Sequence, residues 1–480
     1  MDRKEIDIEK SAGRGVFRRL LAYARPYMHW MFFSLVLVLF ITMLELYRPI
    51  IVGKVIDLFM DQASFAAVRN QGLLYLAVLL ASFACNFLQT WVLQLTGQSI
   101  IYNIREEVFD HVTRLSLRFF DITPVGRIVT RVTNDVEALH EMYANILVRL
   151  IKNVVKIVGL AAMMLVLNVR IALFSFALLP FIVALTVLFK RISRMTYRIT
   201  RTKLTALNTY LSEHLSGMRV IQIFAREREK NAEFGRKNKD LYRANYREMM
   251  VFAVFRPSIY FLSIIALVSI IYTGSASVLE GVITVGTLYT FIEYINSFFQ
   301  PIQELAEQFG TLQSAMASAE KIFTLLDEDT MIPEPKQPVS PEKLRGRIAF
   351  EHVWFAYQGE EWILKDVSFT IEPGSRVAFV GATGAGKSSI LNLIGRYYDI
   401  QRGRITVDGI DIRELDKSRL RAAIGQVQQD VFIFTGDIGG NIRLKNASIT
   451  DDQVEQAAKY VNAYEFISRL PGGYREPVTE

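Results

Sequence analysis

The stretch Val380–Ile390, VGATGAGKSSI, decides how the C-terminal part of the chain is interpreted. It fits the pattern G-x-x-x-x-G-K-[ST], with Gly381, Gly386, Lys387 and Ser388 at the fixed positions. Glycines let the backbone turn so that its N–H groups point at phosphate oxygens, and a following helix adds partial positive charge at its N-terminus. Lys387 is expected to reach the β- and γ-phosphates, and the Ser388 hydroxyl to ligate Mg2+. The stretch therefore predicts a nucleoside triphosphate site.

The neighbouring residues predict the strand and the helix that this motif requires. RVAFV at 376–380 is short, apolar and contains two β-branched valines, which is typical of a buried strand. SSILNLIGRY at 388–397 spaces its apolar residues as one helix face, and these residues are Ile390, Leu391, Ile394 and Tyr397. This context disfavours the alternative of a loop that merely happens to carry glycines.

The composition indicates an integral membrane protein. The 480 residues are 51% hydrophobic, with a mean hydropathy of +0.23 and a formal net charge of +7. The basic residues lie between apolar runs rather than in one patch, so no nucleic-acid partner is expected. Cys85 is the only cysteine, which excludes an internal disulfide and a cysteine-rich metal site. The charged N-terminal sequence MDRKEIDIEK predicts no cleavable signal.

Six apolar segments are long enough to cross a bilayer as helices, which takes about 20 residues. They are residues 28–52, 72–96, 144–167, 170–190, 250–273 and 282–302. Only Asn168 and Val169 separate the third from the fourth, so a tight helical hairpin is expected there. Lys and Arg cluster before the first segment and in the second and fourth connections. By the positive-inside rule, both termini of this multi-pass protein are predicted to be cytoplasmic, with the spans in the cell membrane.

Residues 1–26 are predicted to form a cytoplasmic N-terminus with a helix in the membrane interface. Phe17, Leu20, Leu21 and Ala24 recur there at helical spacing before Pro26. A plain charged anchor is the alternative interpretation.

The two long connections, 98–143 and 191–249, show helical periodicity with charged faces. We expect the membrane helices to continue along them into the cytosol, at about 1.5 Å per residue. Pro124 and Gly126 interrupt the first connection, and Gly217 interrupts the second. Each interruption predicts a turn that presents a short helix at the far end of a lever.

The predicted architecture has several domains. An all-α transmembrane domain of six helices covers residues 27–326, and a Pro-rich, acidic linker covers 327–346. From 347 to 480 the sequence changes to short alternating strands and glycine-rich turns, such as RIAFEHVWFAY and RGRITVDGIDI. This last part is predicted to be an α/β phosphate-loop nucleotide-binding domain.

With these parts in this order, the whole chain resembles a half-size ATP-binding cassette (ABC) exporter of the multidrug and lipid type. GATGAGKSS resembles the Walker A loop of that family, and IGQVQQDVFIFTGDI at 424–438 resembles its Q-loop segment. The resemblance places Gln429 at the position that contacts Mg2+ and the attacking water, with Gln428 as the alternative one residue away. Tyr357 in VWFAYQ resembles the aromatic residue that stacks on adenine, whereas the residues alone leave a core position in a strand equally open.

The resemblance implies a set of ATP-binding residues. They are Tyr357, Gly381, Ala382, Thr383, Gly384, Ala385, Gly386, Lys387, Ser388, Ser389 and Gln429, with Ser388 and Gln429 on Mg2+. LSGGQ, a Walker B glutamate and a switch histidine do not occur in the sequence. The nucleotide-binding domain is therefore interpreted as truncated before the signature motif, and no catalytic residue is assigned within the chain.

The resemblance also implies a function for the complete protein. This function is ATP-driven export of hydrophobic or amphipathic substrates, such as drugs or lipids, by alternating access in a dimer with a second half-transporter. The second half-transporter can be identical to this chain or different from it. The implied cofactors are ATP, which is hydrolysed, and Mg2+. The alternatives are a nucleotide-gated channel and a regulatory half that binds ATP without hydrolysing it.

The last predicted span carries a polar face, formed by Tyr289, Glu293, Asn296 and Gln300. Polar side chains are costly in lipid, so this face is predicted to point at the bundle interior and to contact substrate. Hydrogen bonds between helices are the alternative.

Two further groups of charged residues lie within the predicted spans. Arg149, Lys152 and Lys156 form a basic stripe on the third span, which either attracts anionic groups or snorkels to the interface. Glu45 and Arg48 lie one helical step apart in the first span and are interpreted as a simple ion pair.

Overall fold

The computed structural model describes residues 15–62, 64–428, 431–444 and 446–478. The chain divides after Met331 into two compact units. The first unit is helical and contains the predicted spans, and the second contains the β-strands and the phosphate loop.

The helices of the first unit follow one another with short connections. They are α1 (15–24), α2 (Met28–Met60), α3 (Phe65–Arg114), α4 (Leu117–Ile122), α5 (Val125–Thr130), α6 (Val136–Glu141), α7 (Leu147–Leu167), α8 (Val169–Phe176), α9 (Leu179–Ser216), α10 (Met218–Ile223), α11 (Glu227–Leu279) and α12 (Val285–Leu326). A 3-10 turn, Arg25–Tyr27, precedes α2. Two π-helical segments, Arg131–Asp135 and Met142–Ile146, flank α6.

Five continuous helical stretches in the described part of the chain are long and apolar enough to cross a membrane. They are Gly15–Met60, Phe65–Arg114, Val125–Leu167, Val169–Ser216 and Glu227–Leu279, and they contain the first five predicted spans. The sixth predicted span lies in α12, which is 42 residues long but is not among these five. Its polar residues lower its mean hydropathy, so the sixth crossing stays a prediction.

Four helices, α3, α9, α11 and α12, are much longer than the roughly 30 Å hydrocarbon core of a bilayer. At 1.5 Å per residue, the 50 residues of α3 span about 75 Å and the 53 residues of α11 about 80 Å. The 38-residue helix α9 packs along α11. The short helix α10 joins these two long helices and begins directly after Gly217. The lever predicted for residues 191–249 is therefore present.

The helix predicted ahead of the first span is also present, and it divides its apolar residues between two environments. Leu20 and Ala24 are buried, whereas Phe17 and Leu21 are about half exposed. The Tyr143 hydroxyl donates a hydrogen bond to the Leu20 carbonyl oxygen at 2.7 Å. α1 is thus anchored to the protein on one side and keeps apolar side chains free for lipid on the other.

The hairpin predicted at Asn168 is confirmed. α7 ends at Leu167, and Asn168 adopts an extended conformation with φ −162° and ψ 114°. Its side-chain oxygen accepts a hydrogen bond from the Ile171 backbone N–H at 3.1 Å, which caps α8.

The second unit is built on an antiparallel sheet of four strands in the order β2-β1-β3-β4. The strands are β1 (Ile348–Ala356), β2 (Trp362–Ile371), β3 (Arg402–Val407) and β4 (Ile410–Asp411). Helix α13 (Lys387–Ile394) lies between β2 and β3 in the chain. The helices after β4 are α14 (Lys417–Ala422), α15 (Ile438–Ile442), α16 (Asp451–Tyr460) and α17 (Tyr464–Ser468), and two short strands, β5 (Gly436–Asp437) and β6 (Pro477–Val478), pair with each other. The predicted strands in RIAFEHVWFAY and RGRITVDGIDI are confirmed as β1 and as the β3–β4 hairpin.

The strand predicted at 376–380 is wrong. These residues have no strand assignment, and Val380 is 93% exposed. A strand needs a neighbour for its backbone hydrogen bonds, and within the described residues no strand pairs with this segment. The predicted helix that follows is confirmed as α13, but it ends at Ile394, so Tyr397 lies beyond it and Leu393 joins its buried face instead of Leu391.

Candidate functional site

The phosphate loop contains two glycines in the left-handed region. Gly384 has φ +86° and Gly386 has φ +85°. A Cβ atom on Gly386 would also lie 2.8 Å from Leu364 Cδ2 and 3.0 Å from Ile363 Cγ2. Gly386 is therefore required both by its backbone conformation and by the close approach of β2, and α13 begins at the next residue.

The Lys387 side chain folds back over the loop. Its Nζ donates hydrogen bonds to the carbonyl oxygens of Gly381 and Ala382, both at 2.8 Å. The Ala385 N–H donates to the Ala382 carbonyl oxygen at 3.1 Å, which closes the turn. The ammonium group and the N-terminus of α13 thus lie at the same loop, and both favour an anion there.

The remaining predicted residues of the loop are open to solvent. Ala382, Thr383, Gly384, Ala385 and Ser388 are exposed, whereas Ser389 is buried. In the described part of the chain no group of three or more His, Cys, Asp or Glu side chains could hold a metal ion. The Ser388 hydroxyl, the expected Mg2+ contact, is an oxygen donor at the start of α13 that is accessible from solvent.

Tyr357 lies beside the first turn of α13. Its hydroxyl is 3.1 Å from the Ser389 Oγ. Its ring packs edge-on against Phe355 and Tyr398, with centroid distances of 4.8 and 5.0 Å. The half-buried ring therefore packs on the core of the second unit and lies next to the phosphate loop, and its contact with adenine stays a prediction.

Gln429 lies outside the described residues, and the alternative Gln428 is exposed. Further along this segment, Asn441 fixes a turn that sequence reasoning missed. Its Oδ1 accepts from the Phe434 N–H at 2.7 Å, and its Nδ2 donates to the Phe434 and Asp437 carbonyl oxygens at 2.8 and 2.9 Å. The sequence signal for this turn is an asparagine in a glycine-rich segment, because asparagine side chains often hydrogen-bond to the backbone of a turn.

Arg396 is a second residue that the sequence did not reveal. It is 2% exposed and pairs with Asp399 at 2.9 Å. It also donates to the carbonyl oxygens of Pro333 at 2.9 Å and of Ile412 at 3.3 Å. This buried guanidinium ties the start of the second unit to the end of α13, and no local sequence pattern marks it.

The structure divides the predicted substrate face of α12. Tyr289 and Glu293 line a cavity of about 310 Å3 together with residues of α2, α3 and α7. Asn296 and Gln300 do not line this cavity: Asn296 is exposed, and Gln300 donates to Glu304 Oε1 at 2.9 Å. Of the four residues that helical periodicity predicts on one face, two therefore line the cavity and two do not.

Glu45 does not pair with Arg48, so the interpretation of these two residues as a simple ion pair is wrong. Its two carboxylate oxygens instead accept from Lys152 at 3.1 Å and from Lys156 at 3.3 Å. The neighbouring helix offers two ammonium groups at the level of Glu45, whereas Arg48 extends to the cavity. Arg149 is exposed and lines a second cavity of about 200 Å3 that also reaches Lys152.

The chain matches two families along its length. Residues 31–302 match the family described as ABC transporter transmembrane region, and residues 364–476 match the family described as ABC transporter. Together these matches cover most of the helical unit and most of the unit that contains the phosphate loop.

Several curated proteins are similar over most of this chain. The ABC transporter ATP-binding protein YknV of Bacillus subtilis is 35% identical over 98% of this chain and 79% of its own length. The fatty acid ABC transporter ATP-binding/permease protein of Mycobacterium bovis is 35% identical over 86% of this chain and 66% of its own length. A multidrug efflux ATP-binding/permease protein of the same species is 32% identical over 97% of this chain and 39% of its own length.

Both parts of a half-transporter, the membrane-spanning region and the ATP-binding region, are thus found in one polypeptide. The chain belongs to the ABC transporter family, in which ATP hydrolysis is coupled to transport across a membrane.

Proposed function

We propose that the protein works as a dimer of half-transporters, with an identical or a different partner, that exports drugs, lipids or similar amphipathic molecules from the cell. In this proposal residues 27–326 form the transmembrane domain, 347–480 belong to the nucleotide-binding domain and 327–346 connect them. Both termini are cytoplasmic, which places the phosphate loop where ATP is available. Residues 381–389 hold the phosphates of ATP, and Tyr357 contacts the adenine ring.

The single observation that carries the proposal is the geometry of the phosphate loop. Two left-handed glycines, a helix that begins at Lys387 and an ammonium group hydrogen-bonded across the loop form a cradle for phosphate oxygens. Ser388 and Gln429 are the proposed ligands of Mg2+, which neutralises charge on the phosphate oxygens when it is bound. Lys387 exchanges its loop carbonyl partners for phosphate oxygens when ATP binds.

The short helix α10 supports the proposed coupling between ATP binding and transport. None of its residues is buried, and Val220, Ile223 and Phe224 at its far end are 58, 68 and 69% exposed. Apolar side chains clustered at the tip of a lever suit contact with another protein surface. We assign that surface to the nucleotide-binding domain of the partner half-transporter, so that its closure moves α9 and α11.

The names of the relatives support the substrate class. Fatty acids and multiple drugs, the cargoes named for two of them, are apolar or amphipathic. The intramembrane cavity lined by Tyr289 and Glu293 combines charged and polar groups with the apolar side chains of Leu46, Val52 and Leu160, so it offers an amphipathic molecule both kinds of contact.

Transport into sealed vesicles tests the proposal. The full protein, reconstituted with its nucleotide sites outward, is expected to accumulate a lipophilic dye against its gradient when ATP and Mg2+ are added. Lys387→Ala removes the loop ammonium and should abolish accumulation, whereas Lys365→Ala at an exposed position of β2 should not. Undiminished accumulation by the Lys387 variant would refute the proposed site. Flow of dye only down its gradient would indicate a nucleotide-gated channel instead.

A further inference from the structure

The intramembrane cavity carries four charged side chains on three helices. Glu45 and Arg48 come from α2, Lys156 from α7 and Glu293 from α12. Tyr289 lies beside Glu293 on the cavity wall. Charged groups at membrane depth are costly, so each needs a partner or a ligand.

Glu45 already has its partners. One carboxylate oxygen accepts from Lys152 and the other from Lys156, at 3.1 and 3.3 Å. The three side chains are 21 to 30% exposed, so they form a largely enclosed ion triad. This triad is a structural feature of the wall between α2 and α7.

Arg48 and Glu293 differ from the triad. Within the described residues, neither side chain has an ion pair, and the Nε of Arg48 is buried without a hydrogen-bond partner. The two opposite charges line the same cavity, but they do not pair with each other. Opposite charges that line one cavity without pairing leave room for a molecule that satisfies both.

We propose that this cavity binds the polar head of a zwitterionic amphiphile, with its anionic group on Arg48 and its cationic group on Glu293. Tyr289 lines the same cavity one helical turn from Glu293, and an aromatic ring there suits the same cation. A volume of about 310 Å3 holds a head group of this kind but not a whole lipid, so the alkyl chain must leave the cavity between the helices. The assignment deepens the proposed export function by naming its cargo, although binding itself requires no ATP.

Binding of three probes with the same alkyl chain tests the charge assignment. They are dodecylphosphocholine, dodecyltrimethylammonium and dodecyl phosphate, titrated calorimetrically into the full protein in micelles of a nonionic detergent, with empty micelles subtracted. The zwitterionic probe is expected to bind about tenfold more tightly than either the cationic or the anionic probe, because it alone satisfies both side chains. Equal affinity for all three probes would overturn the proposal.

Two variants test the contributions of Arg48 and Glu293 to probe binding separately. Arg48→Gln should weaken the zwitterionic and anionic probes about tenfold and spare the cationic one, whereas Glu293→Gln should weaken the zwitterionic and cationic probes and spare the anionic one. Lys54→Gln and Glu280→Gln, at exposed positions outside the cavity, are the matched controls and should change nothing. Wild-type affinity for the zwitterionic probe in both cavity variants would overturn the assignment.

The experiment stays decisive if one variant does not fold. Glu293→Gln keeps the shape of the side chain and removes a charge that has no described partner, so it tests its half of the site alone. Since no ATP is present, failure of ATP-driven transport leaves the binding result intact. Conversely, a protein that transports but binds the three probes equally would refute the cargo assignment and leave the exporter proposal standing.

Discussion

Gly53 of α2 and Gly286 of α12 bring their two helices into backbone contact. A Cβ atom placed on Gly53 would overlap the Gly286 carbonyl oxygen and would lie 2.6 Å from Thr290 Oγ1. A Cβ atom on Gly286 would overlap the Gly53 carbonyl oxygen in the same way. Small residues on both helices are therefore the condition for this crossing.

Hydrogen bonds on both sides of the glycine pair fix the two helices further. The Asp57 carboxylate accepts from the Gly286 N–H and the Thr284 hydroxyl, both at 2.7 Å, which caps the start of α12. Towards the membrane centre, the Tyr294 hydroxyl donates to the Leu46 carbonyl oxygen at 2.6 Å. This seam keeps α2 and α12 in register next to the charged cavity.

Gly286→Ala is expected to destabilise the helical unit by about 1–3 kcal/mol, since the contact is with backbone atoms that cannot rotate away. Gly72→Ala on an exposed face of α3 is the matched control, because a Cβ atom placed there would have no other atom within 4 Å. The control should be neutral or slightly stabilising, as alanine favours helix more than glycine does. Thermal unfolding in detergent measures both variants, and an equal melting temperature for Gly286→Ala and wild type would contradict the proposed close packing.

Glu45→Gln is expected to destabilise the protein more than Lys156→Gln does. Without Glu45, Lys152 and Lys156 are two ammonium groups side by side with no carboxylate between them. Removal of one partner of a buried ion pair typically costs about 3–5 kcal/mol. Lys156→Gln instead leaves a balanced Glu45–Lys152 pair. Melting temperatures of the two variants in the same detergent decide the question, and equal losses would argue against the shared carboxylate.

Short-range sequence patterns predicted the parts of the structure that local chemistry decides. The glycine spacing of the phosphate loop, the hairpin at Asn168 and the interruption at Gly217 all depend on residues within a few positions of one another. The strand expected at 376–380 failed for the opposite reason. Its apolar pattern is local, but a strand is made by hydrogen bonds to another segment, and no described segment supplies them.

Residues that act across helices were the ones that the sequence left ambiguous. Glu45 and Lys152 are 107 positions apart, so the nearest opposite charge in sequence, Arg48, was the wrong partner. Helical periodicity identified the polar face of α12 but could not show that Tyr289 and Glu293 reach the cavity while Gln300 hydrogen-bonds to Glu304. Tertiary packing, rather than pattern, decides such positions.

The stability of the second unit is expected to fall in acid partly through Asp411. Burial tends to raise the pKa of this carboxyl, but hydrogen bonds from Arg413 and the nearby Arg404 outweigh burial and hold the pKa below the ordinary value of 3.8. A carboxyl with a lowered pKa stabilises the fold above its unfolded-state pKa, and this contribution is lost as the pH falls through the folded-state value.

Asp411→Asn should therefore be less stable than wild type near neutral pH and should lose less stability between about pH 5 and pH 3. Denaturant unfolding of the full protein with Trp30→Phe and Trp91→Phe, followed by tryptophan fluorescence from Trp354 and Trp362 in β1 and β2, measures both quantities. Glu414→Gln, at a nearby exposed position, controls for a general change of charge. An unchanged pH profile in Asp411→Asn would show that this carboxylate does not contribute to the acid response.

Tyr357 lets the ring and the hydroxyl be tested separately. Tyr357→Phe keeps the edge-on contacts with Phe355 and Tyr398 but loses the hydroxyl contact with Ser389, which is worth about 1 kcal/mol of folding stability. Tyr357→Ala removes both, and we expect it to weaken nucleotide binding about tenfold, because an aromatic face worth about 1–3 kcal/mol to a stacked base is lost.

Fluorescent ATP analogue titrations of the full protein measure these affinities. Ser389→Ala is the matched control for the hydroxyl contact, because it removes the Ser389 Oγ but keeps the backbone N–H that the proposed site assigns to phosphate. If stacking on adenine is the role of Tyr357, the Phe and Ser389 variants should bind the analogue like wild type while Tyr357→Ala binds it weakly. If the residue acts only through its contact with α13, Tyr357→Phe and Ser389→Ala should instead weaken binding as much as Tyr357→Ala does. The second pattern would remove the adenine contact from the proposed site and leave the phosphate loop as its sole recognition element.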